Sequence, residues 1–349
     1  MYTSLSIKNF RAFETLEIEG LKRVNLFTGR NNSGKTSVLE AVYLLEGEHV
    51  TLRARRLFET RGLAAVSFTR FSARTMPWAT LFRSLGVEKD IHISGLQDTA
   101  QPLDVILTTT LDEEARNNYV NGFRMPHIDV ESRAILIARK SHLAQSRDAI
   151  WVTNGKIQPD VNDESTLRPS SYLISGTKPS HTELSRYFDG LELVKGTDPI
   201  LQALLLIDPR LQGLKTNTSA GPSLLYADLG GATLLPLAVV GDGMLRMLEI
   251  VFAILQNPGR AVMIDEIENG FHYSVLPKVW ELIHKLAKQY NVQVFAVTHS
   301  HECAVAAHVA AEADNYGYFR IEQKNGIGRA VAYSHEQMQT SIEANLEVR

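Results

Sequence analysis

Gly29-Arg30-Asn31-Asn32-Ser33-Gly34-Lys35-Thr36 has the spacing GxxxxGKT and follows the apolar, β-rich run Val24-Asn25-Leu26-Phe27. The glycines let the backbone curl so that successive N–H groups converge on an anion. Lys35 is a point charge suited to the β- and γ-phosphates, and the Thr36 hydroxyl is placed to ligand Mg²⁺. Val38, Leu39, Ala41, Val42 and Leu45 then recur at helical spacing. A helix starting near Lys35 adds the positive end of its dipole. Strand, glycine loop and helix together predict a P-loop that binds a nucleoside triphosphate, against the alternative of a glycine turn without a ligand.

Ala261-Val262-Met263-Ile264-Asp265-Glu266 is an apolar run closed by two acids. A buried parallel strand reads as such a run, and ligands gather at the carboxyl ends of these strands. Asp265 is suited to hold Mg²⁺ or one of its waters, and Glu266 to take a proton from an attacking water. The alternative is a surface strand end with solvated carboxylates. Val294-Phe295-Ala296-Val297 leads in the same way into Thr298-His299-Ser300. His299 could donate a hydrogen bond to a γ-phosphate at neutral pH. Ser300 reads equally as the N-cap of the next helix, and both readings hold together. Gly241-Asp242-Gly243 opens a predicted helix from Met244 to Leu255; by itself the turn reads as an ordinary helix start.

These residues must be positioned by strand–helix alternation at both ends of the chain. The 349 residues read as three stretches. Residues 1–50 read as the first part of a nucleotide-binding core with the P-loop. Residues 51–225 are a less regular middle region with strand-like Ile91-His92-Ile93 and Leu103-Asp104-Val105-Ile106-Leu107 and a helix over Pro199 to Leu205. Residues 226–349 form the second part of the core. Net charge is −3, which argues for no particular partner. A lone cysteine, Cys303, cannot form an internal disulfide and reads as buried filler. No apolar signal core or membrane-length run is present, so a cytoplasmic protein is expected. The eleven histidines show no metal spacing.

The order of P-loop, glycine turn, acidic strand end and histidine strand end resembles ABC-type ATPase heads, and most closely their RecF/OLD-like branch. The matching pieces are Asn9-Phe10-Arg11-Ala12-Phe13, residues 29–36, 241–246, 263–273 and 297–302, with weak cover of 51–225. The resemblance implies an α/β fold, a mixed or parallel central sheet with flanking helices and a less regular middle lobe. It implies that Gly29, Asn31, Asn32, Ser33, Gly34, Lys35, Thr36 and Ser37 hold ATP and that Thr36 and Asp265 hold Mg²⁺. Lys35, Glu266 and His299 would carry catalysis, and Arg11 would contact nucleotide. Gly241, Asp242 and Gly243 would form the signature turn that completes the site of a second copy in a head-to-head dimer. The turn departs from the Ser-Gly-Gly of transporters and SMC proteins. An acid beside a triphosphate costs Coulomb energy, so Asp242 is expected to orient backbone or Arg246. The glutamine usual between P-loop and signature has two candidates, Gln97 and Gln101.

The middle stretch lacks heptads, so no long coiled-coil arm is expected. About fifty residues follow His299, too few for a Toprim nuclease module. The resemblance therefore implies an ATPase that controls a separate, nuclease-like effector, in phage or foreign-DNA defence or in DNA repair. The rival readings are a nucleotide-gated scaffold with incidental hydrolysis and the energising subunit of a transporter. Arg53, Arg55, Arg56, Arg61, Arg70, Arg74 and Arg83 accompany Phe58, Phe68, Phe71, Trp78 and Phe82 against the single acid Glu59. That segment could bind DNA by phosphate contact and base stacking, contact a protein, or be a solvated face over a core.

Overall fold

A computed structural model describes residues 1–47, 49–63, 77–98, 102–110, 135–141, 146–153, 156–159, 171–176, 180–217 and 223–344. The chain divides into two units. The first comprises Met1–Leu21, Gly29–Pro169 and Arg320–Ala332; the second comprises Lys22–Thr28, Ser170–Phe319 and Tyr333–Arg349.

In the first unit, β1 (Tyr2–Phe10) buries Tyr2, Leu5, Ile7 and Phe10. It pairs antiparallel with β2 (Phe13–Glu19) on one side and with β4 (Ile91–Gln97) on the other. Antiparallel pairing continues outward through β5 (Pro102–Thr110), β6 (Ile135–Ser141), β7 (Ser146–Thr153) and β8 (Lys156–Pro159). The alternating runs at 91–94 and 103–107 thus lie in strands. α1 (Lys35–Glu46) packs on β1, β4 and β5, and α2 (Val50–Glu59) packs on β6 and β7. Gly95 admits the Tyr2 ring, whose edge lies 2.6 Å from where a Cβ would stand.

The second unit is built on parallel strands. β3 (Val24–Thr28), β14 (Gln293–Val297) and β13 (Ala261–Ile264) lie side by side, with β9 (Tyr172–Leu173) beyond β13. Every residue of the three longer strands is buried, as expected for parallel strands covered on both faces. Helices α5 (Asp242–Gln256), α6 (Leu276–Gln289) and α7 (His301–Ala310) supply apolar faces to this core, through Met247, Val251, Trp280, Ile283 and Ala307 among others. A smaller antiparallel sheet of β10 (Gly213–Asn217), β11 (Leu224–Asp228) and β12 (Leu235–Pro236) joins α3 (His181–Leu193) and α4 (Asp198–Leu205). β15 (Tyr316–Lys324) starts in the second unit, beside β3, and ends in the first; β16 (Ile327–Tyr333) follows it and pairs parallel with β2. The C-terminal α8 (His335–Glu343) opens with a capping box from Ser334 and Gln337. The fold is α/β with a mixed arrangement of strands and flanking helices. Among the described residues, no helix is long and apolar enough to cross a membrane.

Candidate nucleotide-binding site

The loop from Gly29 to Gly34 leaves the carboxyl end of β3 and feeds α1. Gly29 has φ 137°, and a Cβ there would run into the Ile321 carbonyl oxygen and lie 2.9 Å from Ser33 Oγ. Gly34, at φ 98°, faces the Phe13 ring where its own Cβ would be. Neither position can hold another residue without strain. Asn32 takes the left-handed conformation that asparagine tolerates best among non-glycine residues. α1 starts at Lys35 with no side-chain cap and no acid in its first turn, so its own first turn leaves the positive end of the dipole to an anion. Lys35 is 4% exposed, and its Nζ donates to the carbonyls of Gly29 (2.7 Å) and Arg30 (2.8 Å). Ser33 Oγ is buried with no hydrogen-bond partner. An unpaired buried hydroxyl costs about 1–3 kcal/mol. A buried ammonium, an orphaned hydroxyl and a bare helix end fit a phosphate. Asn31 and Asn32 are exposed, and Thr36 and Ser37 are half-buried.

Arg11 lies in the turn between β1 and β2. Its guanidinium is buried against Glu40 of α1 (Nε to Oε2 2.8 Å) and donates to the Thr80 carbonyl at 2.7 Å. Arg61 holds the other oxygen of Glu40 at 2.6 Å. Arg11 thus braces the helix that the P-loop feeds.

In the second unit, Asp265 follows β13 and is 6% exposed; its N–H donates to Leu173 O at 2.9 Å. Glu266 adopts φ 46°, a left-handed conformation that costs about 1–2 kcal/mol for a residue with a Cβ. Its Oε2 accepts from Ser175 Oγ and from Asn269 Nδ2, the latter at 2.7 Å. These bonds, Ser175's foremost, hold the Glu266 carboxyl below the usual carboxylate range. The backbone of this loop rests on Arg246, whose Nη2 donates to the carbonyls of Asp265 (2.7 Å) and Glu266 (3.4 Å). Arg246 also meets Glu249 at 3.1 Å, and burial pushes the Glu249 carboxyl up. Of the two expectations for Asp242, orienting backbone or orienting Arg246, the second meets an Arg246 already bonded to Glu249 and to the carbonyls of Asp265 and Glu266, while Asp242 is exposed at the start of α5.

His299 follows β14 half-buried, and its N–H donates to Glu268 Oε1 at 2.9 Å. Ser300 caps α7 by accepting from the Cys303 N–H at 3.0 Å. Cys303 is buried, which pushes its thiol up to about 12. Gly241, at φ 153°, and Asp242 are exposed. Gly243 is not: a Cβ there would lie 2.7 Å from the Gly270 carbonyl oxygen. Its glycine character answers to packing against the loop after Glu266.

The arginine-rich segment is less of a surface than its composition suggests. Arg53 is 4% exposed, donates to Tyr43 O at 2.7 Å and lies over the Tyr43 ring. Phe58, Trp78 and Phe82 are core residues, which removes them from any base-stacking face. Arg55 pairs with Glu59, and Arg83 with Glu14. Arg70, Arg74, Phe68, Phe71 and Gln101 lie outside the described residues; Gln97 ends β4. Ser175, Glu268 and Asn269 escaped the sequence reading. Only the proximity of Glu268 and Asn269 to the paired acids could have signalled them.

Residues 87–303, more than half of the chain, match the family described as "AAA domain, putative AbiEii toxin, Type IV TA system". The chain belongs to this AAA family. A second family, "AAA ATPase domain", matches residues 1–55, the stretch with the P-loop. A curated relative, the ATP/GTP phosphatase of Helicobacter pylori, is 24% identical over 340 residues, 86% of each chain. RecF, a DNA replication and repair protein of Nitrosococcus oceani, is 54% identical over 43 residues, 12% of each chain. Among solved structures, an Smc head bound to the C-terminal winged-helix domain of ScpA matches with TM-score 0.52 and 14% identity, covering 96% of this chain and 98% of that one. That likeness shows the fold of an ABC-type head. This AAA-family chain is an ATPase with the fold of an ABC-type head and a short RecF-like stretch.

Proposed function

We propose that the chain binds Mg-ATP and hydrolyses it by in-line attack of water on the γ-phosphate, with a second copy of itself closing the site. The observation that carries this reading is the side-by-side parallel arrangement of β3, β14 and β13. The P-loop, His299 and the Asp265-Glu266 pair each leave the carboxyl end of one of these strands, where α/β sheets bind ligands. Gly29, Asn31, Asn32, Ser33, Gly34 and Ser37 would cradle the phosphates, with Lys35 as their counter-charge. Thr36 and Asp265 would hold Mg²⁺, which supplies neutralisation of the phosphate charge. Glu266 would accept the proton of the attacking water, and His299 would donate to the γ-phosphate. Arg11 would act through Glu40 and α1. The exposed Gly241 and Asp242 fit a turn offered to the nucleotide of a second copy.

Hydrolysis would control a separate nuclease-like effector in defence against foreign DNA or in repair, in the cytoplasm. The family description, which includes a TA system, supports a two-component reading. Arg61 is exposed and Arg55 and Arg56 are half-buried, and these described arginines would offer area to DNA phosphates. Glu266→Gln tests the core of the proposal. It is expected to lower kcat at least about 100-fold while ATP still binds and dimers accumulate in light scattering. Hydrolysis at the parental rate would sink the assignment of the base. A nucleotide-gated scaffold with incidental hydrolysis is the second reading. It is favoured by the two donors on Glu266 Oε2, which compete with a water for the same oxygen.

A further inference from the structure

The turn that presents His299 is pinned at three places. Ile267 N–H donates to Val297 O at 3.1 Å, joining the loop after β13 to the end of β14. Thr298 Oγ1 accepts from Ser300 N–H at 3.0 Å, and Ser300 Oγ accepts from Cys303 N–H at 3.0 Å, so the far side of the turn is fixed by the start of α7. Between these two anchors the His299 N–H goes to a side chain, Glu268 Oε1, at 2.9 Å. Glu268 stands two residues after the proposed base, on the same loop. Its second oxygen, Oε2, is buried with no hydrogen-bond partner. The carboxylate is therefore turned inward, one oxygen committed to the histidine backbone and the other without compensation, an arrangement that a purely packing side chain would not need.

We infer that Glu268 is a positioning residue for the ATPase reaction: its carboxylate fixes the His299 backbone so that the imidazole meets the γ-phosphate, tying the histidine to the loop of the base. This inference rests on the proposed role of His299. A misplacement of a polarising group acts on the rate and leaves ground-state binding of the nucleotide intact.

The test measures ATP turnover, binding of a fluorescent ATP analogue and thermal melting on the full chain. The variants are Glu268→Gln, Glu268→Ala, His299→Ala and the Ala/Ala double. Gln keeps an oxygen that can accept from His299 N–H, so its kcat is expected within about threefold of the parent even where its melting point falls. Glu268→Ala and His299→Ala should each lose about tenfold in kcat with nucleotide affinity unchanged, the scale of one charge-assisted hydrogen bond. The double variant should be no slower than His299→Ala, since both changes remove one interaction. Should Glu268→Ala melt below the assay temperature, Glu268→Met, of similar size and without an acceptor, is expected to show the same loss. Parental kcat in the Ala or Met variant, an equal loss in the Gln variant, or multiplicative losses in the double variant would overturn the inference while leaving His299 in its role. Parental kcat in His299→Ala would overturn the reading of His299 itself.

Discussion

The loop after β3 and the loop after β13 both follow the carboxyl ends of parallel strands, yet they are held by different means. The first is shaped by backbone: Gly29 and Gly34 occupy conformations and spaces closed to a Cβ, and Lys35 folds back onto the loop's own carbonyls. The second contains a strained glutamate and is held from elsewhere, by the side chains of Ser175 from the loop after β9 and Arg246 from α5 and by the backbone N–H of His299, which donates to Glu268. A self-contained loop can be read from eight consecutive residues. A loop held from three distant places cannot.

The comparison can be broken most forcefully at Arg246. Arg246→Met removes two bonds to the acidic loop and leaves Glu249 buried without its cation, an expected loss of about 3–5 kcal/mol measured by urea unfolding. Burial already raises the Glu249 carboxyl above its unfolded value, so its neutral form is the better folded one. The stability attached to that raised group is present at low pH and lost as pH climbs through the folded value. The variant should therefore recover part of its deficit between neutral pH and pH 5; a deficit independent of pH would show that Glu249 does not carry it. Next in size is Lys35→Ala, expected to weaken nucleotide binding about 100-fold, or roughly 2.7 kcal/mol, in a fluorescence titration. Unchanged affinity would show that the loop binds by backbone alone. Smallest is Gly34→Ala, which meets both the positive φ and the Phe13 ring; a loss of about 1–3 kcal/mol is expected in the same urea assay. A Gly34→Ala protein as stable as its parent would show that the ring yields easily.

The same contrast explains what the sequence alone reveals. β3, β13 and β14 are legible because buried parallel strands are written as continuous apolar runs, and α1 and α5 because their apolar residues recur at helical spacing. The alternation at 91–94 and 103–107 marks strands for the same local reason. The helix predicted over Pro199 to Leu205 begins one residue earlier, at Asp198. What escapes is long-range pairing. Arg53 looks like a solvated cation until the Tyr43 ring and carbonyl are seen to accept it. Trp78 and Phe82 read equally as a stacking surface, a protein contact or core until the structure shows them in the core. Ser175 has no motif around it, and its value to Glu266 exists only because β9 lies beside β13.

The contact between Gly243 and Gly270 has a mechanical consequence. Two main-chain segments touch with no methyl-sized gap between them, so neither can advance without pushing the other. Pressure on the tip that opens α5 is delivered as a shove to the segment three to five residues past the two acids, with no soft side chain to absorb the stroke.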